Sequence, residues 1–416
     1  MAVRRVVAGL DIGTTKITTI IAELDDQDGV NVIGVGQAPS QGIERGMVMN
    51  LEETVQSIMR SANDAQHMAD VRIDRVYAGI AGEHIKGINS HAAVSVGRAT
   101  NEITTDDVMR VIAHAKTIDI PQDMQVIHVI PQEFSVDNQK HVRDPVGLAG
   151  SRLEGEVHIV TGAATALQNI RRAVERAGLQ IADVVLQPLA SSYAVLMPDE
   201  QEHGVVMLDV GGGTTDIALF YRRSIRHTAV VGLGGTNVTN DIAIGLRTPS
   251  SEAENLKKEY GCALLDLVPA ERQIRPAIGL GNRPAEPVSQ RYLAEIIESR
   301  MEEIFEFAWR EVQRTEWAGM LNAGVVLTGG GSMTKGVVEL AQRVFKVPVK
   351  LGMPTRVGGL FEKVSTPMHS TGIGLVLYGA HQERHKQAEA PPQTEEQREN
   401  DRIGNVYRWI RDFFTG

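Results

Sequence analysis

The chain has 416 residues, 42% of them apolar, and a formal net charge of −10. That length suggests two to three domains with sizeable cores, and the acidity argues against nucleic acid as the main partner, because a phosphate backbone calls for a basic surface. The single cysteine, Cys262, excludes an internal disulfide and a cysteine-based metal site, and no apolar run reaches the roughly 18 residues of a transmembrane helix.

The apolar stretch after Arg4-Arg5 ends at Asp11, which is too short for a secretory signal, so a cytoplasmic location is expected. Arg4–Lys16 reads as a strand entering a tight Gly-Thr turn, and Ile17–Leu24 as a second strand. Leu51–Ala65 is helical in pattern. Thr104-Thr-Asp-Asp107 forms a capping-box signature before an apolar-periodic stretch to Thr117. Met124–Val136 reads as a strand interrupted at Pro131. Ala164–Ala177 is a helix ended by Gly178, and Val184–Ala190 is a short apolar run carrying Gln187. Val205–Val210, Gly211–Asp216 and Ile217–Tyr221 then repeat the opening order of strand, Gly-Thr turn and strand. Ser250–Tyr260 and Leu293–Glu316 read as helices, and Gly324–Leu327 as a strand leading into Thr328-Gly-Gly-Gly-Ser332. Alternating strands and helices indicate an α/β architecture.

The two Gly-Thr turns carry the chemistry. In Asp11-Ile-Gly-Thr-Thr-Lys16, Gly13 lets backbone amides approach an anion, Thr14 and Thr15 add hydroxyl donors, and Lys16 supplies a point charge. Asp11, at a strand end, is placed to hold Mg²⁺ through water. The second turn offers Asp209, Gly211, Gly212, Gly213, Thr214 and Thr215 in matching roles. An ordinary hairpin needs one or two special residues rather than five, so a pair of plain turns is the weaker reading. Gly329–Gly331 alone reads equally well as a strand-to-helix turn. Glu254 and Lys257 lie three apart, a spacing that more often marks a solvated ion pair. There is no P-loop, no dinucleotide fingerprint and no H-E-x-x-H.

The C-terminus is the second informative region. Arg384–Arg402 contains no branched aliphatic or aromatic residue and reads as a disordered linker. Beyond it, Val406, Trp409, Ile410, Phe413 and Phe414 form one apolar stripe on a helix, flanked by Arg402, Arg408 and Arg411. A helix docked on its own protein is the usual fate of such a stripe. A polar leash favours insertion into a membrane surface instead. Each large side chain contributes about 1.5–3 kcal/mol at full burial, each arginine near anionic lipid about 1 kcal/mol, and folding so short a helix offsets much of that. One tip therefore binds weakly, and an array of linked tips binds tightly.

The two D-x-G-T-T hairpins, the Gly-Gly-Gly-Ser turn and the Glu254/Lys257 helix resemble the actin and Hsp70-type ATPase superfamily. Within it the chain resembles the FtsA family of bacterial cell-division proteins. The matching stretches are Gly9–Lys16, Pro131–Phe134, Asp144–Gly147, Val184–Leu196, Leu208–Ile217, Ala253–Cys262, Thr328–Ser332 and the aromatic C-terminus, nearly the whole chain.

The resemblance implies an actin-like two-domain ATPase fold with an inserted 1C subdomain and a C-terminal amphipathic helix on a disordered linker. Subdomain 1A would comprise residues 1–83, 163–198 and 366–385, and 1C residues 84–162. Subdomain 2A would comprise 199–243 and 311–365, and 2B residues 244–310. A linker at 386–401 would precede a membrane-targeting helix at 402–416. The cofactors would be ATP and Mg²⁺. Asp11, Gly13, Thr14, Thr15 and Lys16 would form the first phosphate loop, and Asp209, Gly211, Gly212, Gly213, Thr214 and Thr215 the second. Asp11 and Asp209 would hold the ion through water. Glu254 and Lys257 would contact the nucleoside, and Gly329, Gly330, Gly331 and Met333 would line the adenine. Gln187 falls where relatives orient the attacking water. A neutral amide is a poor base, so at most slow hydrolysis is expected. Thr236 stands after Gly234-Gly235 where chaperone relatives carry an acid. The implied partners are the C-terminal tail of the tubulin-like FtsZ through 2B, later division proteins through 1C, copies of the chain in filaments, and lipids on the inner face of the cytoplasmic membrane at the division site. The alternative is a sugar or carboxylate kinase of the same superfamily, which would have no use for a leashed aromatic tip.

Overall fold

The computed structural model describes residues 5–25, 29–97, 101–276, 278–282, 284 and 286–387. Of the linker expected at 386–401, residues 386 and 387 instead end the helix Ser370–Gln387, while the remainder and the amphipathic tip, with Arg402, Val406, Arg408, Trp409, Ile410, Arg411, Phe413 and Phe414, lie outside the described residues.

Two sheets repeat one plan. In the first, Val30–Pro39, Lys16–Leu24 and Arg5–Ile12 form an antiparallel meander, and Arg75–Ile80 joins parallel to Arg5–Ile12, followed by Gln180–Leu186. The short strand Gly358–Gly359 closes the other edge. In the second, Ser224–Val231, Thr215–Tyr221 and Val205–Val210 form the meander, and Gly324–Thr328 joins parallel, followed by Val349–Leu351. The duplicated hairpin read from the sequence is thus the centre of a duplicated sheet.

The strand Val205–Val210 is buried along its length, so its alternation sorts side chains between two cores. Val206, Leu208 and Val210 face a core built with the helix Gln290–Gln313. Val205 and Met207 face the core shared with the first sheet. Asp209 follows them in period two, so its carboxylate points toward the first half of the molecule.

Two helices join the halves. Gln187–Val195 begins directly after the strand Gln180–Leu186, with a proline in its first turn, and every one of its residues is buried. The return connection ends in the helix Ser370–Gln387, which lies against the first sheet. The two helices pack so closely that a Cβ on Gly374 would stand 1.8 Å from the Ala190 carbonyl oxygen.

An inserted unit holds a four-stranded sheet in the order Lys86–Ser95, Arg152–Ala163, Met124–Val136, Gln139–Val142, with the helix Thr105–Lys116 over one face. The capping signature is present: the Thr104 amide donates to Asp107 Oδ2 at 2.9 Å. The expected interruption at Pro131 is a register shift rather than a break. It frees Gln132, whose Nε2 donates to the Ile225 carbonyl at 2.7 Å. Beside it the buried guanidinium of Arg226 donates to Glu133 at 2.7 Å, which docks the insert on the edge of the second sheet. Elsewhere the helix Leu51–Ala69 runs one turn past its expected end and stops at Asp70 in a left-handed conformation.

Gly374→Ala tests the helix contact. Overpacking of this kind costs about 1–3 kcal/mol, so the variant should unfold at lower denaturant with an unchanged slope. Wild-type stability would show that the two crossings do not approach as described.

Candidate functional site

The two Gly-Thr loops share one register. Ile12 pairs with Ile17 across the first and Val210 with Thr215 across the second, so each loop has the same length. Each is closed by the same bond: Gly13 N–H donates to the Lys16 carbonyl at 3.1 Å, and Gly211 N–H to the Thr214 carbonyl at 2.9 Å. Superposed by register, Lys16 occupies the place of Thr214, and Thr14 and Thr15 the places of Gly212 and Gly213. The loops also meet. A Cβ on Gly213 would lie 2.7 Å from Thr14 Oγ1, and one on Gly212 would lie 2.3 Å from Thr15 Cγ2. Side chains on the first loop fill what the glycines of the second leave bare.

Both crossings touch both loops. On the outgoing helix, Gln187 Nε2 donates to Asp11 Oδ1 at 3.2 Å and to the Ile12 carbonyl at 3.3 Å. One turn later Ser191 Oγ donates to Asp209 Oδ2 at 2.7 Å. On the return, the Met368 carbonyl accepts from Lys16 Nζ, and Thr371 Oγ1 donates to Asp209 Oδ2 at 3.1 Å.

Burial governs the charges here. It raises the Asp11 pKa to about 6, with Lys16 opposing and Asp209 adding. Burial also raises Asp209 against the pull of Ser191, Thr371 and Lys16. Asp216 sits directly across the strand pair from Asp209. Burial, and then Asp209, push it well up. Its Oδ1 is buried without a hydrogen-bond partner. Burial pulls the Lys16 ammonium down while Asp11 and Asp209 hold it up. His369 is driven to about 4 by burial and then by Lys16, so it is neutral at pH 7. Three buried carboxylates share one half-buried ammonium, and such a set is complementary to an added cation. Among the described residues no three His, Cys, Asp or Glu side chains are grouped closely enough to ligate a metal directly. An ion held through water fits these residues.

The remaining candidates form a strut behind the second loop. Gly235 N–H and Thr236 N–H donate to the carbonyls of Gly211 and Gly212 at 2.9 and 2.8 Å. Lys257 Nζ in turn donates to the Gly235 carbonyl at 2.9 Å, bonds Thr239 Oγ1 at 2.7 Å, and pairs with Glu254 at 2.6 Å. Burial would raise Glu254, but bonds from Lys257 and Thr239 hold it below the usual carboxylate range. The pair is therefore tied to the loop rather than solvated. Gly329, at φ 84°, lies beside Asp209, where a Cβ would stand 2.3 Å from Oδ1. Gly330–Met333 is a single 3₁₀ turn. Gly331 packs on Val210, and Met333 is half exposed. The Thr215 hydroxyl donates to the Leu233 carbonyl at 2.9 Å, away from the cleft.

Sequence reasoning assigned no role to Ser191, Thr371, Met368, His369, Asp216 or Thr239. Ser191 had a signal, since it stands one helical turn after Gln187. Asp216 closes the second loop as its second acid. Thr371 and the Met368 carbonyl had none, because their role depends on a crossing that returns from far along the chain.

Sequence models of two families match the chain: "Cell division protein FtsA" over residues 206–374 and "SHS2 domain inserted in FTSA" over residues 82–161. Among curated proteins, the cell division protein FtsA of Pseudomonas aeruginosa is 45% identical over 90% of this chain and 89% of its own length. That of Escherichia coli K12 is 39% identical over 93% of each. Among solved structures, the PilM-PilN type IV pilus biogenesis complex matches with a TM-score of 0.63 at 17% identity, covering 90% of this chain and 98% of the matched one. MreB5 of Spiroplasma citri bound to ADP matches with a TM-score of 0.56 at 12% identity, covering 92% and 99%. These two carry the actin-like ATPase fold.

The buried carboxylates make a pH prediction. A folded pKa near 6, above the ordinary 3.8, means that Asp11 favours the folded state below pH 4 and loses that contribution as pH rises to 6. Above pH 6 the ligand-free chain is then disfavoured by up to about 3 kcal/mol at this site. Asp11→Asn should melt higher than wild type at pH 7.5 without ligand, and its stability should fall less between pH 4 and 6. A lower melting temperature at pH 7.5 would contradict the burial account.

Proposed function

The chain belongs to the FtsA family of cell-division proteins, and on that premise we propose that it binds ATP with Mg²⁺ between its two Gly-Thr loops and assembles on the inner face of the cytoplasmic membrane to tether FtsZ filaments. The observation that carries the reading is the pair of loops facing each other in one register, each contacted by both crossings.

The amides of Thr14, Thr15, Gly212 and Gly213 and the hydroxyls of Thr14 and Thr15 would supply donors for phosphate oxygens, since the Gly13 and Gly211 amides close their own loops and the Thr214 hydroxyl donates to Asp216, and Lys16 would supply the charge. Asp11 and Asp209 would hold Mg²⁺ through water, and the ion would neutralise phosphate charge. Gly329–Gly331 and Met333 would line the base, with Glu254 and Lys257 supporting the nucleoside from the strut. Gln187 is held by Asp11 at the mouth of the first loop. It can orient water but is a weak base, which supports slow turnover. Such a site suits a nucleotide that sets domain closure and assembly.

The tip supports the membrane half of the reading: three arginines and one aspartate flank five large apolar residues at helical spacing. Subdomains 2B and 1C are the proposed surfaces for the FtsZ tail and for later division proteins, with the boundaries given above. The kinase alternative is not favoured, since the curated relatives at 39–45% identity are cell-division proteins.

Two measurements test this. Vesicle pelleting of the full chain and of a truncation after Asn400, with ATP, should show the intact protein on anionic vesicles and the truncation in the supernatant. Equal pelleting would refute the membrane role of the tip. Gln187→Ala should keep ATP affinity within about threefold and lower phosphate release roughly 10-fold or more. Unchanged release would remove Gln187 from the hydrolytic step.

A further inference from the structure

We propose that Ser191 and Thr371 are positioning residues that together fix the Asp209 carboxylate for metal-bound nucleotide, one from each crossing between the halves. The proposal rests on the reading that the cleft takes ATP with Mg²⁺.

The Asp209 carboxylate is held from two sides. Ser191 Oγ and Thr371 Oγ1 stand 2.7 and 3.1 Å from the same oxygen, Asp209 Oδ2, and 3.0 Å from each other. Each hydroxyl has one proton, and the geometry directs both at the carboxylate. The other oxygen, Oδ1, rests against Gly329, where any side chain would collide with it. Turning the carboxylate about its own axis would break both hydroxyl bonds. All three side chains are buried.

Ser191 does not need Asp209 for its own satisfaction. A helical serine can bond a carbonyl of the preceding turn, and the neighbouring Ser192 does so, donating to the Leu189 carbonyl at 2.7 Å. Ser191 donates to Asp209 instead. It shares a helix face with Gln187, four residues earlier, so one short helix holds an aspartate of each loop. Thr371 stands in the first turn of the return helix, three residues after the carbonyl that receives Lys16. The position of Asp209 is therefore set by how the two crossings sit against each other, and the Gly374–Ala190 contact fixes that distance.

A structural role and a positioning role predict different results. Loss of packing would weaken nucleotide binding with or without metal. Loss of positioning would remove the metal-dependent part alone. The test uses the full chain and a fluorescent ATP analogue, titrated in Mg²⁺ and in EDTA. In Mg²⁺, Ser191→Ala with Thr371→Val should bind about 10-fold or more weakly than wild type, and in EDTA within about twofold, as expected for hydrogen bonds to a charged group. Thr371→Ser, which keeps the hydroxyl, should match wild type in both. Thr371→Val alone should show an intermediate loss, and it serves if the double variant does not fold. Equal losses in Mg²⁺ and EDTA, or wild-type binding by the double variant, would overturn the proposal. A wild-type chain that binds no nucleotide in either buffer would overturn the ATP reading itself, and this proposal with it.

Discussion

Two connections cross between the halves of this molecule, and each touches both Gly-Thr loops: the helix Gln187–Val195 outward, and on the return the 3₁₀ turn Pro367–His369 with the helix Ser370–Gln387 that follows it. Gln187 and Ser191 on the outgoing helix hold Asp11 and Asp209. Met368 and Thr371 on the return hold Lys16 and Asp209. Neither loop can shift relative to the other without disturbing these contacts on the two crossings. The close packing at Gly374 makes those helices a single unit, because no side chain intervenes to cushion a displacement.

The electrostatics follow from that arrangement. The strand period aims Asp209 and Asp216 at the interior, where burial disfavours their charge, and Asp11 arrives there from the facing strand. One lysine opposes three carboxylates. On the proposed reading, a cation brought in with a polyphosphate would relieve this concentration of buried acids while the loop amides and Lys16 met the added anion. On that same reading the site favours binding over rapid chemistry. Gln187 is at best a very weak base, and His369, its pKa driven to about 4 by burial and then Lys16, is a poor one with Nδ1 bonded to Thr366 at 2.9 Å.

Much of this was readable in the residues. The duplicated hairpin was, because five special residues in a turn leave a local signal that needs no tertiary context. Element types were too, with the helix Ser250–Tyr260 found at its expected bounds. The register of the two loops was not. Matching threonine to threonine aligns Thr14-Thr15 with Thr214-Thr215, whereas the strand pairing sets them opposite Gly212 and Gly213. Composition alone cannot reveal which residue stands across a hairpin. The Glu254/Lys257 pair looked like a solvated surface pair, since spacing on a helix says nothing of what the face meets. Its attachment to Gly235 needs the packing of two helices. Thr371 was invisible for the same reason: its partner lies 162 residues earlier in the chain.

The central claim is that one nucleotide engages both loops and both crossings together. Amide hydrogen exchange of the full chain, with and without ATP and Mg²⁺, tests it most directly. The account predicts that protection rises in concert at residues 9–16, 209–216, 187–195 and 368–376. Protection confined to one loop, with the crossings unchanged, would contradict it.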